Sequence, residues 1–200
     1  MQDPFGGGKQ PIGIVYNTTM NRPDAALALA LLYGFQGKKE ARVGSVCVNG
    51  AGFGAAVYCD VVSHFYALGQ RNSNSILPTG FAAGGLLPPD PPMVASAVEA
   101  KTEKGEPKYI REIRKISDTS VPEAVLRNGV IYNAQASIVL SAPATYVAKM
   151  LDLLGTRELC GERVKTLVIV DAGVPQDASA MRRVLANFPV DVVYLSLIHI

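Results

Sequence analysis

Short apolar runs alternate along this chain with longer stretches of helical periodicity, and that alternation defines its elements. Residues 12–16, Ile-Gly-Ile-Val-Tyr, predict a first strand. A helix follows over about 24–35, with Ala and Leu on every face, so it is expected to be well buried. Pro23 falls in its first turn, where a missing N–H costs nothing. Residues 42–48 read as a second strand. The helix over about 53–68 then spaces Phe53, Val57, Val61, Phe65 and Leu68 three to four apart, and sets Asp60 and His64 one turn from each other. Residues 69–92 are rich in Gly and Pro and read as a loop with one short strand at 75–78. Ser120-Val121-Pro122-Glu123 has the pattern of a capping box opening a helix. Regular alternation resumes with a strand at 137–140, a helix at 144–154, a strand at 164–170, a helix at 177–187 and a strand at 190–195.

Strands separated by single helices imply an α/β fold: an open, mostly parallel sheet with helices on both faces, formed by one domain over 1–200. The last strand has no closing helix after it, so the chain is expected to hold only part of a longer domain. His199, in the final residues, is assigned no role.

Composition narrows the function classes. Hydrophobic residues at 48% and charged residues at 18% exclude a disordered chain. A net charge of +2 argues for neither nucleic acid nor a membrane surface, and the mixed-sign run 99–118 reads as a solvated face. The three cysteines, Cys47, Cys59 and Cys160, have no short paired spacing and indicate neither a zinc site nor a disulfide framework; Cys47 and Cys59 read as buried packing residues. The first residues lack the pattern of a signal peptide, and no apolar run approaches the roughly 20 residues that span a bilayer. A cytoplasmic protein is the default expectation, although the opening would also suit a mature exported chain.

Two stretches could carry chemistry. The turn 17–21, Asn-Thr-Thr-Met-Asn, lies between the first strand and its helix, where open α/β proteins keep ligand groups. Four of its five residues are neutral amides or hydroxyls, and none takes a proton near pH 7. The second stretch, Val48-Asn49-Gly50-Ala51-Gly52-Phe53-Gly54-Ala55, fits the dinucleotide fingerprint G-x-G-x-x-A. It follows the second strand rather than the first, and strand 75–78 ends without the acidic residue that would hold a ribose. A tight strand-to-helix turn is the favoured reading, with a dinucleotide-binding Rossmann protein as an alternative. Asp60 and His64, lying mid-helix, are expected to form a surface or subunit contact rather than a catalytic pair.

The series IVYNTTMNRPDAALALALL, SVCVNGAGFGAAVYCDVVSHFY, SIVLSAPATYVAKMLDLLG, VKTLVIVDAG and QDASAMRRVL resembles the nucleoside hydrolases that prefer inosine and uridine. The resemblance implies a Rossmann-like α/β fold of somewhat over 300 residues, of which this chain would be the N-terminal two thirds. It also implies a calcium ion held by a strand-one pattern D-x-D-x-x-x-D-D, whose first aspartate activates the attacking water. Carried over, Asn17 falls on that first aspartate and general base, Thr19 on the second, and Asp24 on one of the final pair. Ser141 falls where the family lends a backbone carbonyl to the metal. Asn49 and Asp171, each at the end of a strand, are the substrate-binding candidates; at Asp171 a carboxylate stands where the family has glycine. The resemblance therefore implies a degraded calcium and ribose site, with calcium binding weak or lost. It implies a protein that holds a nucleoside or small sugar with little or no N-glycosidic hydrolysis, the alternative being an active divergent ribonucleoside hydrolase. Neither nucleic acid nor membrane is an expected partner, and a homo-oligomer stays open.

Overall fold

The computed structural model describes residues 10–49, 52–67, 77–82, 90–171 and 177–196. Six strands form one parallel sheet in the order β3-β2-β1-β4-β5-β6: β1 Ile12–Thr18, β2 Ala41–Val48, β3 Thr79–Phe81, β4 Ala136–Ser141, β5 Val164–Asp171 and β6 Val192–Ser196. Among the described residues seven α-helices surround it: α1 Pro23–Gly37, α2 Phe53–Ala67, α3 Pro92–Glu99, α4 Pro122–Ile131, α5 Thr145–Asp152, α6 Thr156–Arg163 and α7 Ala178–Asn187. The expected α/β architecture, Rossmann-like and open, is the one observed.

The sheet separates two cores, and the pleat distributes β1 between them. Ile14 and Tyr16 point into a core with Leu29 and Tyr33 of α1, Ala55 and Cys59 of α2, and Val94 of α3. Val15 points the other way, into a core with Val125 and Leu126 of α4, Val147 and Met150 of α5, Cys160 of α6 and Val184 of α7. Burial on both faces explains why the central strands read as apolar runs rather than as alternating patterns.

Several boundaries differ from expectation for identifiable reasons. Strand β1 runs two residues past 16, so Asn17 and Thr18 belong to the sheet and the turn begins only at Thr19. Helix α1 is covered on one side alone: Ala25, Ala26, Leu29 and Tyr33 are buried, whereas Leu27 is 62%, Leu31 55% and Phe35 43% exposed. An outer-layer helix buries only the stripe that meets the sheet, whatever residues fill its other face. A short strand stands at Thr79–Phe81; of the expected 75–78, Ser75 and Ile76 lie outside the described residues, and Leu77 and Pro78 precede the strand, the Pro78 carbonyl accepting from Val46 N at 3.0 Å. Ser120 caps nothing. Its backbone bridges to Gly80, and α4 starts one residue after Val121 with Pro122 in the first turn. The helix expected over 144–154 is α5, which ends at Asp152; a further helix, α6, that the pattern did not disclose starts after Gly155, whose φ of +72 is a conformation that favours glycine.

Candidate functional site

In a parallel sheet of this order the chain leaves β1 toward one face and β4 toward the other, which makes the carboxyl ends of these strands a topological switch point, the place where open α/β sheets keep a ligand crevice. The segments after Thr18 and after Ser141, two residues that lie in register with each other, flank it.

Asn17 sits at the base of this crevice. In register it stands between Cys47 of β2 and Leu140 of β4, it is fully buried, and neither its Nδ2 nor its Oδ1 has a hydrogen-bond partner. Buried amides are normally satisfied, so an orphan at the end of a central strand marks a place where something polar is missing from the protein's own contacts. The next residues are spent on the turn. Thr18 Oγ1 accepts from Met20 N at 3.2 Å, and Met20, fully buried, takes φ +52. The Thr19 hydroxyl donates to the Asn21 side chain. Asp24 does not converge with these groups: it pairs with Arg22 at 2.9 Å, and both side chains are half-exposed.

The other wall is closed by an amide. Asn49, following β2, donates its backbone N–H to Thr18 O at 2.9 Å and its Nδ2 to Pro143 O at 2.8 Å, so it straps the end of β1 to the segment after β4. Ser141 is half-buried beside Thr18. Below them the Tyr16 hydroxyl donates to Ala25 O at 3.3 Å. Burial pushes this phenol up to about 12, with the neighbouring Thr18 and Ser141 hydroxyls partly opposing the shift. The structure thus places Asn17, Thr19, Asn49 and Ser141 at the carboxyl ends of β1, β2 and β4 and leaves Asp24 on the surface. Asp171 ends β5, one strand beyond β4, and its side chain lies outside the described residues.

These donors do not fit a calcium ion, which wants six to eight oxygens with several carboxylates among them. Among the described residues no group of three His, Cys, Asp or Glu side chains could hold a metal, and the crevice offers the neutral Asn17 Oδ1 and backbone carbonyls. No chemical step is therefore derived through a metal.

The glycine-rich stretch is explained by a residue that the sequence pattern did not single out. Gly50 and Ala51 lie outside the described residues. The Asp90 carboxylate accepts from Gly54 N at 3.0 Å and from Ala55 N at 3.1 Å, so it sits on the first turn of α2. A Cβ added at Gly52 would lie 2.6 Å, and at Gly54 2.2 Å, from its oxygens. The amides that would cradle a pyrophosphate serve the protein's own carboxylate instead. The only local signal was an acid isolated in Pro-Pro-Asp-Pro-Pro, and its partner lies 36 residues away.

No family model and no curated protein matches this chain. Among the described residues no helix is long and apolar enough to cross a membrane.

Asp60 and His64 are not the surface contact expected. Asp60 is fully buried; its Oδ2 accepts the backbone N–H groups of Glu112 at 2.6 Å and Ile113 at 2.9 Å, and its Oδ1 lies 3.3 Å from His64 Nε2. A carboxylate can stay in that position because it takes charge-assisted bonds from two amides of a segment that otherwise makes few internal bonds. Its role is to tie the 100–115 excursion to α2. Cys47 and Cys59 are fully buried, and burial raises both thiols, which keeps them protonated and unreactive, as packing residues should be.

Proposed function

We propose that this chain is a nucleoside-hydrolase-like binding protein that holds a nucleoside or small sugar in the β1/β4 crevice and cleaves it little or not at all. The observation that carries the reading is the buried, unpartnered amide of Asn17 at the end of β1. An amide there can both donate to and accept from a hydroxyl, which suits a polyol. It cannot take a proton from water near neutral pH, and loss of a general base alone costs a factor of about 10² to 10⁴ in rate. The crevice is also uncharged among its described side chains, which matches a neutral ligand and offers nothing to stabilise an oxocarbenium-like transition state. Access for a ligand would exchange the Asn49–Pro143 bond for bonds to ligand hydroxyls.

Titration calorimetry with inosine, uridine and ribose, run beside a reducing-sugar assay, tests this. Saturable binding of at least one ligand without sugar release is expected, together with loss of that binding in Asn17→Leu. Asn17→Asp alone is not expected to create turnover, because Asp24 faces Arg22 and the Thr19 hydroxyl is held by Asn21. Sustained sugar release by the unmodified protein would establish the divergent hydrolase instead.

A further inference from the structure

Helix α1 carries no charged side chain between Asp24 and Lys38, and its outer face presents Leu27, Leu31 and Phe35 to solvent. We propose that this face joins two copies of the chain, α1 packed antiparallel on α1 about a two-fold axis at the level of Leu31. The argument lies in the spacing. A two-fold axis perpendicular to a pair of antiparallel helices sets each residue level with the one equally far on the other side of the axis.

With the axis at Leu31, that residue meets its own counterpart, and Leu27 lies level with the second copy's Phe35. Gly34, which has open space where a Cβ would point, lies level with Ala28 and lets the backbones approach. Beyond this apolar centre, roughly 10 Å from it at 1.5 Å per residue, Asp24, which within its own chain pairs with Arg22, comes level with the second copy's Lys38 at each end of the pair and would share its carboxylate between the two cations. Apolar positions and opposite charges are therefore both self-complementary about one point, a symmetry that a different partner would not require. One helix pair of this length buries less than the roughly 1,200–2,000 Å² of a standard interface, so the association is weak and reversible, micromolar or weaker.

Sedimentation velocity on the full chain from about 10 μM to 1 mM is expected to show a monomer–dimer equilibrium. Leu31→Arg, which sets two like charges on the axis at a half-exposed position, should weaken it at least tenfold while leaving the circular dichroism unchanged. Asp24→Lys and Lys38→Asp should each weaken it, and the two together should restore it. Under mild oxidation Leu31→Cys should cross-link to itself and Leu27→Cys should not, whereas a mixture of Leu27→Cys and Phe35→Cys should; the native thiols are all buried. A monomer throughout, the result if another protein or another segment of this chain covers the face, would overturn the proposal. So would a dimer indifferent to Leu31→Arg, or self-cross-linking of Leu27→Cys.

Discussion

Asn17 is the residue at which stability and binding should part. A buried amide with both ends unpaired costs about 1–3 kcal/mol, and replacing it with an apolar side chain of similar volume removes that cost. Asn17→Leu is therefore expected to raise Tm by roughly 2–10 °C in differential scanning calorimetry, in the same variant that loses its ligand. A fall in Tm would mean that the amide is satisfied in solution. Tyr16 and Tyr33 contribute to the alkaline limit, together with the buried thiols of Cys47 and Cys59, whose protons burial also holds. Burial raises both phenols from 10.0 to about 12, so the folded state holds their protons after the unfolded chain has released them. Their contribution is complete below pH 10 and is lost as pH rises toward 12, about 2–3 kcal/mol for each. Absorbance at 295 nm should show two phenols titrating late and together with unfolding, and Tyr16→Phe and Tyr33→Phe should each flatten the loss of stability between pH 10 and 12.

The elements that local pattern disclosed are those whose identity is decided locally. Strands β1, β2, β4 and β5 read as β-branched apolar runs because both faces are buried, and α7 begins within a residue of its expected start because the Asp177 carboxylate accepts from Ser179 N and Ala180 N. What escaped was decided at a distance or by a single backbone angle. Helix α6 starts after the left-handed Gly155 with a mostly polar sequence, Thr-Arg-Glu-Leu-Cys-Gly-Glu-Arg, that shows no apolar period, and α3 begins inside a proline run that reads as loop. The crevice could be placed because strand ends and helix starts mark it. The ties made by Asp90 and Asp60 could not, since they join residues 36 and 52 apart in the chain, which no window of periodicity spans. The Asp60 tie can be measured. Asp60→Ala leaves two backbone N–H groups without an acceptor and should destabilise the fold by about 2–4 kcal/mol in denaturant unfolding, with early proteolysis confined to 100–115. Asp60→Asn keeps one oxygen and should lose less.

At the scale of the whole molecule, the sheet is built outward from its middle, and its middle is made of the two strands most remote from each other among its neighbours. Strand β1 ends at Thr18, but its second partner begins only at Ala136. A ribosome that has delivered β1, β2 and β3 has therefore made half a sheet whose open edge is the strand destined for the centre, apolar on both faces and with its amides unpaired. For the time it takes to synthesise the residues from Phe81 to Ala136, about 3–11 s at 5–20 residues per second, that edge is an adhesive surface. Nascent chains arrested before Ala136 should bind chaperones and aggregate when released, and those arrested well after Ser141 should not. The pairing that gives the finished protein its crevice thus also sets the most vulnerable interval of its synthesis.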